Sequence, residues 1–493
     1  MMDIIQNSYV INFINKIDLS NKDKVFETVA HSKFSQVLQA PLKLLHPPLS
    51  RLAENSLIAR YIDHLILTNI VILLIALTFA PTIFQGVLVA SGLMLTLFKW
   101  LFIAEEGHNF TLFDIPVAAY IGVALISVAF STYFMPSLKG FAKLMTYFAS
   151  YVVFTNIFKG SSTRVYFILA VVAITGGLEA MYGILQKFSG VEALATWQDP
   201  DSIMAGRKMS RVYGSLDPFN PNLLAGYLLP VLPIAFGMGC ISWLKKSWVW
   251  SIPFFILSGA TLLTIIFTGS RGAYIGVALM GLFIYFAAGH LIWHSFNNYK
   301  YSKYLKLFWV LAGLAGVGAI IAAIFAVPAL HDRIMSIFTL RGNSSNSFRM
   351  NVYIASWNMF TDNWLIGIGP GNTTFRLVYG FYMMTGFDAL GTYSVPLEIM
   401  VEMGIIGLLI FFWLILVIFS NAVKLYNSSN LLEVKLLILT ILAAFAGIAG
   451  QGVFDTIWYR PQVHIIFWLL VAILSCMVSK KVYFKAGTGN EKS

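Results

Sequence analysis

From Leu67 onward the chain is a succession of apolar runs. Each is long enough to cross a bilayer as a helix, which takes about 20 residues. Twelve can be counted, at roughly 66–83, 85–103, 115–134, 140–158, 165–186, 223–242, 249–268, 272–293, 306–328, 395–420, 435–453 and 464–479. Lipid offers no partner to a backbone N–H or C=O, so only helices and closed barrels cross it. Barrel strands would be about half this length and would alternate in polarity. The expected fold class is therefore an all-α integral membrane protein with about twelve transmembrane helices. The first two runs are divided only by Ala80-Pro81-Thr82, which implies a tight hairpin. Composition agrees: 11% of the 493 residues are charged, against about 25% in a soluble protein. That excludes a soluble enzyme, a disordered chain and a coiled coil. Cys240 and Cys476 both lie in apolar runs, which excludes a disulfide scaffold or a Cys-based zinc site. The first 60 residues lack an early apolar core, so no cleavable signal peptide is expected.

A formal charge of +11 on so apolar a chain needs a reason. Alternate loops hold Lys159 and Arg164; Lys245 and Lys246; Lys300, Lys303 and Lys306; and Lys424 and Lys435. The two ends of the chain are basic as well. The positive-inside rule places these loops and both termini in the cytoplasm, with the plasma (inner) membrane as the location. The opposite face carries Arg207, Arg211, Arg271, Arg333, Arg341, Arg349, Arg376 and Arg460, eight of the eleven arginines, while most of the 22 lysines stay inside. Topology alone does not sort Arg from Lys. A guanidinium grips phosphate or carboxylate with a planar fork, whereas an ammonium is a point charge. Read singly, each arginine is explained by lipid phosphate or a nearby aspartate. Read as a set, they suggest a site for an anionic, phosphorylated substrate.

The chain divides into a cytoplasmic N-terminal segment, 1–65, a membrane domain, 66–480, and a basic tail, 481–493. Residues 26–45 read as an amphipathic helix on the membrane surface. Two outer loops are long, 187–222 and 329–394, and loops of that length are usually functional. In the second, Ser347 can cap a helix running to about Asn363, with Met350, Tyr353, Ile354 and Trp357 on one face. Gly367-Ile368-Gly369-Pro370-Gly371 follows. With no strand before it, it reads as a turn rather than a phosphate cradle.

Glu179, Lys143, Arg271, Glu398, Glu402, Asp455 and Arg460 fall within or at the ends of spans, where ionisable groups are functional candidates. Nearly all lie in the outer half. A transporter would place its site near the midplane, beside broken helices. An enzyme acting at the outer leaflet would look like this chain. Glu398 and Glu402 stand at i, i+4 and read equally well as a structural pair capping the helix or bonding an arginine. The basic clusters hug span ends, so the lipid bilayer is expected as a partner and nucleic acid is not.

Four strings together resemble the O-antigen ligase and polymerase superfamily over residues 66–480. They are Arg211-Val212-Tyr213-Gly214 followed by Asn220-Pro221-Asn222; Gly269-Ser270-Arg271-Gly272; Ser347-Phe348-Arg349 with the glycine-rich turn; and Leu397 through Glu402-Met403-Gly404. Thr385 to Leu390, Tyr393 to Glu398 and Asp455 to Gln462 are similar to a cyanobacterial branch named for inorganic carbon (bicarbonate) transport. The resemblance implies one large outer loop with short helices. It also implies glycan transfer, without metal or cofactor, from a polyprenyl-diphosphate-linked glycan to a glycan or lipid acceptor. Arg211 and Arg271 match the family's phosphate-binding arginines; Arg349 and Arg460 are additions. Asn220, Asn222, Glu402 and Asp455 are supporting residues. The alternatives are a bicarbonate transporter and a non-catalytic membrane partner in carbon accumulation.

One departure matters. Ligases carry His-Asn just ahead of the Leu…Glu-x-Gly span; here Tyr393-Ser394 stand there. Tyrosine, with a pKa of about 10, is a poor base near neutrality. Asp388 is the substitute carboxylate, with pairing to Arg376 or Arg349 as its alternative role. Tyr393 is a candidate for stacking on a sugar or anchoring the helix.

Overall fold

The computed structural model describes residues 56–104, 111–190, 210–294, 299–326 and 344–479, with isolated positions beyond these. The expected surface helix at 26–45, the tail 481–493, Arg207, Arg333 and Arg341 lie outside the described residues, apart from Ala40, Leu45 and Val482. Among the described residues each of the twelve apolar runs is occupied chiefly by a helix. The helices are α1 (Leu57–Ala76), α2 (Thr82–Phe102), α3 (Asp114–Ala129), α4 (Phe134–Phe158), α5 (Ser162–Ser189), α6 (Pro221–Leu244), α7 (Trp248–Thr268), α8 (Arg271–His294), α9 (Ser302–Ala326), α10 (Ser344–Asp362), α11 (Asn372–Tyr379), α12 (Val395–Ser428), α13 (Leu432–Gly452) and α14 (Pro461–Val478).

Ten of these are long and apolar enough to span a membrane. The chain is a multi-pass, all-α membrane protein. Of the twelve runs, α3 is shorter, at 16 residues. The other that falls outside the ten, α4, carries Lys139 and Lys143 among serines and threonines. The first helix begins at Leu57, nine residues before the expected start, because Arg60 and Asp63 are absorbed into it. Asp63 accepts from Lys99 of α2 (2.7 Å) and Arg164 of α5 (2.9 Å), so these charges join three helices at the lysine-rich end.

The core runs along α6 and α14, which are almost wholly buried, with α5, α7, α12 and α13 around them. By contrast, α9 buries none of its apolar stretch and lies at the periphery. Three helices carry proline at their first or second position: α6, α12 and α14. Proline's missing N–H costs nothing there and its φ is already helical. Asn220 caps α6 by accepting from the Asn222 N–H at 2.8 Å. All three starts lie at the arginine-bearing end.

The helix α12 is not continuous. Gly404 has φ 65° and ψ −168°, which breaks it two turns in. A break inside a span frees carbonyls that must find donors. Ile368 N–H donates to Val401 O (2.9 Å), Gly369 N–H to Glu402 O (3.0 Å) and Ser127 Oγ–H to Glu402 O (2.6 Å). Ile405 N–H reaches back to Trp364 O at 2.8 Å. The glycine-rich turn is thus more than a turn between elements: it plugs the break. A Cβ on Gly404 would collide with the backbone of Leu365, and one on Gly367 with that of Glu402.

The outer-loop helix also differs from expectation. It starts at Ser344, three residues before Ser347. Its buried face is Val352, Ala355 and Met359, which pack on the turn and α11. Ile354 and Trp357, expected to share a packing face with Met350 and Tyr353, are exposed.

Candidate functional site

Arg211, Arg271, Arg349 and Arg460 come from four separate segments and converge at one end of the bundle. Each is positioned by a local rule. Helix α7 ends at Gly269 in the left-handed region (φ 60°), leaving the Thr268 carbonyl without a helical partner. Arg211 Nε–H donates to that carbonyl at 2.7 Å, and its Nη2 donates to Asn222 Oδ1 at 2.6 Å. Two residues after Gly269, Arg271 opens α8 and is buried. Arg349 comes from α10. It donates through Nη1 to Phe454 O at 2.8 Å and sets Nη2 3.8 Å from Asp455 Oδ2. Arg460 precedes Pro461 at the start of α14.

Asp455 is the acid at the centre of this group. It is buried, and Oδ1 accepts from the Thr456 N–H at 2.9 Å. Burial pushes its carboxyl above the usual range, while Arg349 and Arg211 pull it back. Tyr353, beside it, feels Arg349, Asp455 and Arg271 together. Burial lowers the pKa of Arg460, with Asp455 the largest opposing influence. So the charges of Arg349, Arg211 and Arg460 all act on one carboxylate, and Arg271 stands across the groove from Arg349. A groove of about 170 Å³ runs between Arg271 and Arg349, floored by Gly272 and walled by Ile275, Asn346, Met350, Tyr353 and Phe454.

Tyr393 belongs to this neighbourhood. It has φ 54°, and its N–H donates to Thr456 Oγ1 at 2.8 Å. The Arg349 guanidinium lies 5.5 Å from its ring centroid, within cation–π range. Burial, then Asp455, raises its phenol pKa, with Arg349 and Arg460 opposing. The phenol is thus further from serving as a base at neutral pH than a free tyrosine. Asp388 stands on the exposed loop, where it accepts from Arg376 Nη2 at 3.3 Å. Its charge still reaches Tyr393.

The supporting residues divide. Asn222 holds Arg211, and Asn220 caps the helix that presents Asn222. Glu402 is elsewhere. Its Oε1 accepts from the Gly371 N–H at 2.7 Å and from the Tyr459 hydroxyl, so it pairs with backbone and phenol, not with arginine. The carboxyl group of Glu398 makes no hydrogen bond among the described residues. Glu179, another span-embedded acid, accepts from Ser215 N–H (2.7 Å) and Oγ–H (2.6 Å) and so fixes the segment that carries Arg211.

Two residues of this end carry no sign in the sequence. Gln451 donates to Asn222 O at 2.8 Å and underlies Gly272, where a Cβ would come within 3.3 Å of it. A lone amide near the end of an apolar run is the only hint. Tyr459, between Trp458 and Arg460, reads as an interfacial aromatic but bonds to buried Glu402.

Preset cations around an open groove suit a ligand with spread negative charge. Arg211 and Arg349 are held by backbone carbonyls, an amide and an acid, so they need little reorganisation to receive it. Residues 254–412 match the family model described as O-antigen ligase. The matched stretch runs from within α7 to within α12. It contains Arg271, Arg349, Asp388, Tyr393 and Glu402, while Arg211, Asn220, Asn222, Asp455 and Arg460 fall outside it. No curated protein matches the chain.

Proposed function

We propose that the chain transfers a glycan from a polyprenyl-diphosphate-linked donor at the outer leaflet; the match of residues 254–412 to the O-antigen ligase family model supports glycan transfer of ligase or polymerase type. The observation that carries this reading is the groove lined by Arg271 and Arg349, with Arg211 and Arg460 both within electrostatic reach of Asp455 beside it. As the glycosidic bond to the diphosphate breaks, negative charge grows on the leaving phosphate. Guanidinium groups already aimed there stabilise the transition state more than the ground state. The arginine-bearing end then faces outward, and the lysine-rich end, with both termini, faces the cytoplasm.

Asn222 and Asp455 hold Arg211 and Arg349 in place. Asp388 is the proposed base. It lies on the outer loop, where a bound acceptor would cover it, and catalytic hydrogen bonds often tighten only in the complex. Tyr393 lines the approach beside Arg349. The test is a clean deletion strain complemented with the wild-type chain or with Arg271→Ala. Surface glycan should disappear on deletion, return with the wild type and stay absent with the variant while the protein still inserts. Unchanged glycan in the deletion strain overturns the reading.

A further inference from the structure

On the other side of the 455–460 segment lies a second cavity, of about 200 Å³, between α4 and the first turns of α12. Its chemistry differs from that of the arginine groove. Lys139 and Lys143 of α4 line it together with Glu398 and Glu402 of α12. Two ammonium groups therefore balance two carboxyl groups, and the chamber favours neither an anion nor a cation.

Several of its polar groups have no partner. Among the described residues the Lys143 ammonium forms no ion pair or hydrogen bond. Both carboxyl oxygens of Glu398, a residue 1% exposed, lack a hydrogen bond. His464 lies 3.0 Å through Nδ1 from the Trp458 carbonyl, which can only accept, so Nδ1 carries the proton and Nε2 is left an acceptor without a donor. Burying such groups unpaired is costly. A ligand that both donates and accepts would satisfy them. The remaining wall is aromatic, with Tyr147 and Trp458 offering apolar faces.

We infer that this chamber is a second ligand site, which takes a single neutral sugar ring. Hydroxyls supply donors to Glu398 and His464 and acceptors to Lys143, while the ring's C–H face lies on the aromatic wall. The volume suits one ring and not an oligosaccharide. The mouth, beside exposed Lys139 and Thr373, opens at the arginine-bearing end. Tyr459 bonds to Glu402 on the chamber side, and the next residue, Arg460, belongs to the arginine cluster. The site therefore adjoins the arginine cluster through Tyr459 and Arg460; that the sugar is part of a transferred glycan rests on the proposed function.

The test uses the purified full-length protein in lipid nanodiscs. Its tryptophan fluorescence is titrated with the methyl glycosides of glucose, galactose, rhamnose and N-acetylglucosamine, and with sodium acetate. At least one glycoside should give a saturable change. That change should vanish in Trp458→Phe and persist in Trp357→Phe, which alters an exposed tryptophan of α10. It should require at least tenfold more glycoside in both Lys143→Gln and Lys143→Met, each eluting as the wild type does in gel filtration. Three results would overturn the inference: no saturation by any glycoside, wild-type binding in both Lys143 variants, or saturation by acetate below every glycoside. A deletion strain with intact surface glycan would remove the transfer reading and leave this binding result standing.

Discussion

Arg349 Nη2 and Asp455 Oδ2 lie 3.8 Å apart, a charge pair too long for a hydrogen bond. Asp455 feels Arg349 and Arg211 and acts on Arg460, so it tempers the field of these arginines. Replacing it with asparagine keeps its shape and removes its charge. The opposing energy of one charge at about 4 Å is about 1 kcal/mol in water and more when partly buried. Asp455→Asn should therefore tighten the binding of a small dianion such as sulfate by about fivefold or more. Isothermal titration of the two proteins with sulfate decides the matter, and weaker binding in the variant would contradict it.

The same carboxyl gives a pH dependence with a definite sign. Burial raises its pKa in the folded protein, with Arg349 and Arg211 opposing. As pH falls through that raised value Asp455 takes up a proton, and the groove gains a positive charge. Sulfate, which does not titrate between pH 4 and 8, should bind more tightly as pH falls toward the acid end of that range. Asp455→Asn should flatten this rise. A wild-type affinity independent of pH would show that Asp455 does not govern the field.

Arg211 makes two directed bonds, to the Thr268 carbonyl and to Asn222. Lysine can supply the charge but not the fork. Arg211→Ala and Arg271→Ala should each lower glycan transfer by about 10²–10³-fold, the loss typical of one transition-state donor. Arg211→Lys should recover less than a tenth of the wild-type rate. Surface glycan in complemented deletion cells, scaled to the amount of inserted protein, measures all three.

Asp388→Asn tests the proposed base. It should lower transfer by about 10²–10⁴-fold, whereas Arg376→Ala, which only removes its ion-pair partner, should cost far less. Equal and small losses in the two variants would reduce the pair to a surface contact.

The break in α12 gives a prediction about transport. In transporters, unwound backbone carbonyls coordinate the coupling ion. Here Val401 O and Glu402 O are already taken by Ile368, Gly369 and Ser127. The protein in liposomes should take up labelled bicarbonate no faster than empty vesicles. Uptake above that background would favour the transport alternative.

The helices were legible because hydrocarbon thickness sets the length of each run, and because Pro221, Pro396 and Pro461 mark three of the starts. The arginines were legible as a set, since sorting Arg from Lys needs no knowledge of contacts. The break at Gly404 was not. Residues 403–407 read as an uninterrupted apolar helix, and what makes Gly404 special is the glycine-rich turn, distant in sequence, that pairs with its neighbours. The partner of Glu402 was hidden for the same reason: Gly371 offers only a backbone N–H, and every residue has one. Gln451 reads as a stray amide until Asn222 is brought beside it.

The most direct test of the diphosphate site is binding of the leaving group itself. Purified wild-type protein in nanodiscs should bind a short polyprenyl diphosphate at least tenfold more tightly than the corresponding monophosphate, and Arg271→Ala should abolish that preference. Equal affinity for the two lipids, or a preference that survives in Arg271→Ala, would contradict the assignment of the arginine groove to a lipid-linked diphosphate.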